Sequence, residues 1–62
     1  MSEHQAISYA VLEYTLVRFH HDQPEHPVFI GLPGQEAWLQ AIAKRLNAGE
    51  LDEDQAIAIL SD

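Results

Sequence analysis

The stretch SEHQAISYAVLEYTLVRFHHD, residues 2 to 22, decides the fold class, because no glycine or proline interrupts it. Ser2 and Gln5 have the spacing of a capping box, which favours a helix that begins near residue 3. As a helix, the stretch carries two apolar stripes instead of one. One stripe consists of Ile7, Ala10, Tyr14 and Val17, and the other of Tyr9, Leu12, Leu16 and Phe19.

The two stripes bear on assembly, because a helix that is apolar on two sides needs two partners. The C-terminal half of this short chain covers only one of them. The simplest cover for the second is the same helix of another copy, so the pattern predicts a twofold homodimer. On this interpretation, Leu12→Asp or Leu16→Asp breaks the assembly and leaves the C-terminal half folded.

A strand is the competing interpretation of the same stretch, since it contains the β-forming residues Val11, Tyr14, Thr15, Val17 and Phe19. Residues 14 to 20 would then pair with residues 28 to 32 as a hairpin. Against this, Glu13 and Thr15 would share a strand face with Val11 and Val17. We therefore predict a mainly α fold with a long N-terminal helix, an extended loop and a C-terminal helical hairpin. The alternative is an α+β fold in which an N-terminal β-hairpin precedes two helices.

The C-terminal half has clearer signals. GQEAWLQAIAKRLNAG, residues 34 to 49, predicts an amphipathic helix whose apolar side is Trp38, Leu39, Ile42, Ala43 and Leu46. Gly49 is placed to close this helix in the left-handed conformation. Asp52 and Gln55 form a capping box for a second helix, whose apolar side is Ala56, Ile57 and Leu60. The two helices are predicted to pack as a hairpin.

The segment LNAGELDEDQAIAIL resembles the short helical hairpins of the SHOCT type, which run from a leucine-rich helix through Ala-Gly and an acidic cap into a second short helix. The resemblance covers roughly residues 37 to 60. The second helix lacks the aromatic and Lys-rich end that is usual in that family. The resemblance implies an oligomerisation or docking role and identifies no functional residue.

Length and composition exclude several classes of function. The chain of 62 residues forms a single small domain, residues 1 to 62, and has no cysteine for a disulfide or a thiolate metal site. Its net charge is −7, with only Arg18, Lys44 and Arg45 as basic residues, so nucleic acid and anionic membranes are not expected partners. The N-terminus lacks the basic start of a secretory signal. We expect a soluble cytoplasmic protein without a cofactor.

The stretch HHDQPEHP, residues 20 to 27, is the one cluster that suggests metal chemistry, through His20, His21, Glu25 and His26. It does not match the HxxEH pattern of metalloproteases, because Asp22 stands three residues before Glu25. Pro24 also disfavours the continuous helix which that pattern requires. A polar connection is the favoured interpretation, and a His/carboxylate metal site is the alternative.

The acidic run ELDED, residues 50 to 54, suits a helix N-terminus, where acids interact well with the helix dipole. It also leaves open docking to a basic protein surface or mimicry of DNA. No serine or threonine has a neighbouring His–acid arrangement, so we do not expect an enzyme. We predict a small acidic protein-interaction module, a regulator or inhibitor that binds another protein, homodimerises, or does both. The predicted contact residues are Tyr9, Leu12, Leu16, Phe19, Trp38, Glu50, Asp52, Glu53 and Asp54.

Overall fold

A computed structural model describes residues 6 to 62 and shows a three-stranded antiparallel sheet followed by two helices. The strands are β1 (Ile7–Leu12), β2 (Thr15–His20) and β3 (Gln23–Ile30), in the spatial order β1-β2-β3. The helices are α1 (Glu36–Asn47) and α2 (Glu53–Ser61). The fold is therefore α+β, and the prediction of a mainly α protein with a long N-terminal helix is wrong.

Two tight turns break the predicted helix into strands. Leu12 pairs with Thr15 across the first turn, where Glu13 has φ 59°. His21 and Asp22 form the second turn, with φ 53° and 64°. Positive φ at both central residues is the conformation of the type I′ turn, which suits the twist of a hairpin. Neither turn contains glycine, so both lack the strongest sequence signal for a hairpin. The predicted capping box of Ser2 and Gln5 lies outside the described residues.

The alternative prediction of a hairpin is closer to the structure, because β2 does pair with β3. It omits β1 and places the start of the second strand at residue 28 instead of Gln23. Pro24 and Pro27 disfavour a strand, so the sequence did not predict this earlier start. Pro24 and Pro27 are tolerated because β3 is an edge strand and carries bulges.

The two bulges in β3 change the direction of two side chains. Leu16 pairs with Phe29 and Val17 with Pro27, which leaves Val28 as an extra residue. Arg18 pairs with His26 and Phe19 with Pro24, which leaves Glu25 as the second extra residue. A bulge re-aims the side chain that it carries. As a result Val28 packs against the core, and Glu25 reaches Arg18.

Both helices cover the same face of the sheet, which we call the inner face. The core lies between the inner face and the two helices. It consists of Leu16, Leu39, Ile42, Ala43, Leu46, Ala56 and Leu60. The predicted C-terminal helices are confirmed, as is the capping box, in which the Gln55 N–H donates to Asp52 Oδ1 at 2.8 Å. Gly49 has φ 79°, as predicted for the residue that closes α1. No helix within residues 6 to 62 is long and apolar enough to cross a membrane.

Candidate interaction surface

The side of the sheet opposite the helices, which we call the outer face, is formed by three cross-strand rows. Successive side chains of a strand alternate between faces, and Tyr9, Val11 and Leu16 belong to the inner, core side. The residues at the alternate positions, which pair with one another across the strands, therefore lie on the outer face. The rows are Leu12–Thr15–Ile30, Ala10–Val17–Pro27 and Ser8–Phe19–Pro24.

No residue of these rows is charged. Across the three strands the charged residues are Arg18 and Glu25, and both belong to the inner side, where they contact each other. An antiparallel sheet usually packs one face on the core and has a polar, solvated second face, so the uncharged outer face departs from that pattern.

Large side chains of the outer face remain open in the single chain. Leu12 is 50% exposed and Ile30 is 68% exposed. Only Val17, at the centre of the middle strand, is buried, at 8% exposure, and Phe19 is half-buried. The largest exposed apolar patch of a single chain is often a functional one.

On the inner face, a cluster of five polar side chains ties the sheet to α2. We call Tyr9, Arg18, Glu25, His26 and Glu53 the ion cluster. The Tyr9 hydroxyl donates to Glu53 Oε2 at 2.7 Å, and Arg18 Nη1 donates to the same oxygen at 2.6 Å. Arg18 Nε lies 2.9 Å from Glu25 Oε1, and His26 Nε2 lies 3.8 Å from Glu53 Oε1. Charge on this face is thus paired within the chain.

The surroundings of this cluster shift the pKa values of Tyr9 and Glu53, among others. Burial raises the pKa of Tyr9 to about 12, aided by its hydrogen bond to Glu53 and by the charge of that carboxylate. Burial alone would raise the pKa of Glu53, but the hydrogen bonds from Tyr9 and Arg18 outweigh it, so this pKa lies below its usual value. The cluster is suited to holding a proton on Tyr9 and a negative charge on Glu53.

The Tyr9 shift predicts a loss of stability at high pH. The pKa of Tyr9 is about 12 in the folded chain against about 10 for a free phenol, so folding favours the protonated form. This contribution is complete below pH 10 and is lost as the pH rises towards 12. We expect Tyr14→Phe, which leaves Tyr9 as the single tyrosine, to show phenolate absorbance with a midpoint near 12.

Two controls accompany this titration. In strong denaturant the same variant is expected to titrate near pH 10, as a free phenol does. Tyr9→Phe should lower the free energy of unfolding at neutral pH by about 1 to 2 kcal/mol, because a hydrogen bond to a charged group is lost. A native midpoint near 10 in Tyr14→Phe would contradict the Tyr9–Glu53 bond.

The histidine cluster is divided between two strands and the turn that joins them. The rings of His20, the last residue of β2, and His21, in the β2–β3 turn, lie 4.4 Å apart between centroids. Glu25 and His26 lie in β3 within the ion cluster. Among residues 6 to 62, no group of three or more His, Asp or Glu side chains is arranged to hold a metal ion.

The structure separates the predicted apolar contact residues. Leu12 and Phe19 lie on the outer face, and Trp38 on α1 is 41% exposed. Leu16 is 0% exposed in the core, and Tyr9 belongs to the ion cluster. Leu16→Asp would therefore place a charge in the core and unfold the chain, so it does not serve as a test of assembly.

Most of the predicted acidic contacts have partners within the chain. Asp52 caps α2, Glu53 binds Arg18 and Tyr9, and Glu50 lies 3.4 Å from Arg45 Nε. Asp54 is exposed in the first turn of α2. The acidic run is thus used largely for the fold itself, which weakens the case for docking through these residues.

A feature that the sequence did not indicate is the pairing of Asn47 with the free edge of β1. The Tyr9 N–H donates to Asn47 Oδ1 at 2.8 Å, and Asn47 Nδ2 donates to the Tyr9 carbonyl at 2.9 Å. The Asn47 amide thus makes the pair of bonds that a neighbouring strand would make. An open edge invites pairing with another chain, and Asn47 blocks that edge at its centre. Beside it, α1 and β1 enclose a groove of about 410 Å³, which is lined in part by Lys44.

Comparison with known proteins assigns no family to this chain. No protein-family model matches it, and neither the curated proteins nor the solved structures that were compared gave a match. The resemblance of residues 37 to 60 to SHOCT-type hairpins therefore stays an expectation from the sequence. The function has to be argued from the surface itself.

Proposed function

We propose that this protein is a homodimeric interaction module whose contact surface is the outer face of the sheet, and that it regulates or inhibits another protein by binding. The observation that carries the proposal is the uncharged outer face in a chain of net charge −7. Burial of Leu12 and Ile30, which are 50% and 68% exposed, is the favourable change that drives association.

Net charge opposes self-association, so a second copy has to bind through a surface without charged residues, which the outer face provides. Two chains that each carry −7 repel one another, and an interface without charged residues keeps the negative groups at its periphery. A chain of 62 residues also buries too little surface to be very stable alone. Packing against the same face of a second copy keeps the charged groups apart and adds buried apolar surface.

The size of the face indicates how extensive a contact between two copies can be. Three rows on three strands span roughly 300 Å², from a strand separation of about 4.8 Å and a rise of about 3.3 Å per residue. This lies below the area of about 800 Å² per partner that is typical of stable complexes. We therefore expect a reversible dimer whose population depends on concentration.

Dimerisation would leave the helices of both copies on the outside. Each α2 then presents the exposed Asp54 in its first turn and the exposed Asp62 after its last residue. These exposed acids, one at each end of α2, favour encounter with a partner protein that has a basic surface, because electrostatic attraction speeds association. The outer face accounts for assembly, and the acidic helices for the choice of partner.

Native mass spectrometry and sedimentation of the untagged protein test this proposal. We expect wild type to populate a species of twice the chain mass, which is 7.0 kDa, as concentration rises. Leu12→Asp should abolish that species, because Leu12 lies on the outer face. Leu32→Asp is the matched control, since Leu32 is 66% exposed but lies outside the strands, and this variant should still dimerise.

The fold of each variant is checked by circular dichroism, so that loss of the dimer is not confused with unfolding. A wild-type protein that stays monomeric at all concentrations would overturn the proposal. Equal effects of Leu12→Asp and Leu32→Asp would place the contact away from the outer face. A tightly held metal ion in the spectrum would instead favour a role for the histidines.

A further inference from the structure

We infer that the twofold axis of this dimer lies between the two sheets, crosses the strands at a right angle and passes over Val17. Phe19 of each copy then packs on Thr15 of the partner subunit. This inference rests on the proposed homodimer and adds its geometry. Sheets that pack face to face keep their strands within about 30° of each other. A closed twofold dimer of this kind therefore has its axis across the strands or along them.

The sizes of the outer-face residues distinguish the two axes. The first row is large–small–large, and the last row is small–large–small. The middle row contains Val17 at its centre. In order, the rows are Leu12–Thr15–Ile30, Ala10–Val17–Pro27 and Ser8–Phe19–Pro24.

An axis across the strands places the first row on the last row of the other copy, with each strand over its own counterpart. Leu12 then faces Ser8 of the partner subunit, and Ile30 faces Pro24 of the partner subunit. Phe19 enters the gap over Thr15 of the partner subunit, between its two large neighbours. Facing layers pack best when large side chains meet small ones.

An axis along the strands places each row on itself. Phe19 would then meet Phe19 of the partner subunit, while Thr15 would meet Thr15 of the partner subunit. Such an arrangement crowds one end of the interface and leaves a gap at the other, and both crowding and gaps destabilise a packed interface.

Exchanging the two key residues tests the axis. Thr15→Phe sets Phe against Phe19 of the partner subunit, and Phe19→Thr leaves a gap. Each single variant is expected to raise the dimer dissociation constant by about tenfold or more, the effect of roughly 1.4 kcal/mol. The double variant Thr15→Phe/Phe19→Thr should recover most of the wild-type affinity, because it restores one large and one small residue at every contact.

The double variant is also its own control for stability and composition, since it contains the same residues as wild type on the same face of β2. Thermal unfolding of the four proteins identifies any variant that fails to fold. Failure of the double variant to recover affinity in a folded state would contradict the axis across the strands.

Cross-linking provides a second test, because the chain has no cysteine of its own. With sheets about 10 Å apart, facing positions are about 10 Å apart, whereas Thr15 and its own copy would be roughly 17 Å apart under the proposed axis. A short bis-maleimide should therefore join Thr15→Cys protein to Phe19→Cys protein in a mixture. It should not join Thr15→Cys protein to itself.

The outcomes separate this inference from the proposed function. A monomeric wild type overturns both. A dimeric wild type whose Thr15→Cys variant cross-links to itself overturns the axis and leaves the homodimer intact. Cross-links in the mixed sample only, together with recovered affinity in the double variant, are the results expected here.

Discussion

Replacing Leu39 with alanine is expected to lower the free energy of unfolding by about 3 to 5 kcal/mol. Leu39 is 0% exposed and, with Leu16, is one of the two largest fully buried side chains. It lies on α1 within the core cluster that joins both helices to the sheet. Domains of this size have a total stability of roughly 3 to 9 kcal/mol, so this substitution removes about a third of that stability or more.

Urea denaturation followed by Trp38 fluorescence measures this effect, at one fixed protein concentration because dimerisation adds to stability. Leu32→Ala is the matched control, since Leu32 is 66% exposed. We expect that control to change the free energy of unfolding by less than about 0.5 kcal/mol. Similar losses from both substitutions would contradict a core that is centred on Leu39.

Replacing Gly31 with alanine is expected to cost about 2 to 3 kcal/mol, because its surroundings leave no space for a methyl group. A Cβ atom at Gly31 would lie 2.8 Å from Gln35 Oε1, 2.9 Å from Leu39 Cδ1 and 2.9 Å from the Tyr14 carbonyl oxygen. The Tyr14 oxygen cannot move freely, since it accepts the Gly31 N–H at 2.8 Å. The chain therefore needs glycine here for space.

Gly49→Ala is the control for this prediction. Gly49 has φ 79° and no atom within 4 Å of an added Cβ, so alanine there meets backbone strain alone. We expect a cost of about 1 to 2 kcal/mol, again measured by urea denaturation. If Gly31→Ala cost no more than Gly49→Ala, the close contact between the β3–α1 connection and the β1–β2 turn would be in doubt.

The C-terminal half could be predicted from the sequence because its signals are local. Asp52 and Gln55 are three residues apart, and the apolar residues of α1 recur within a single helix. The N-terminal half could not, because its two turns use Glu13, His21 and Asp22 where glycine or asparagine is usual. Its strands are also apolar on both faces, so they do not show the simple alternation of a half-buried strand.

Of the candidate surface, the sequence indicated the apolar character on two sides but assigned it to two stripes of a helix. The residues divide differently on a sheet, where Leu12 and Phe19 lie outside and Leu16 lies in the core. The ion cluster was beyond prediction, because Tyr9 and Glu53 meet across 44 positions of sequence. The same holds for Asn47, which is 38 positions from Tyr9.

An isotope-filtered nuclear Overhauser experiment on a mixture of labelled and unlabelled protein tests the central claim most directly. It detects protons of one copy that lie close to methyl groups of another. We predict intermolecular signals from the methyl groups of Leu12, Val17 and Ile30, and none from Leu39 or Leu46 in the core. Intermolecular signals that come from the helices instead, or none at concentrations where the protein is dimeric, would contradict the outer face as the interface.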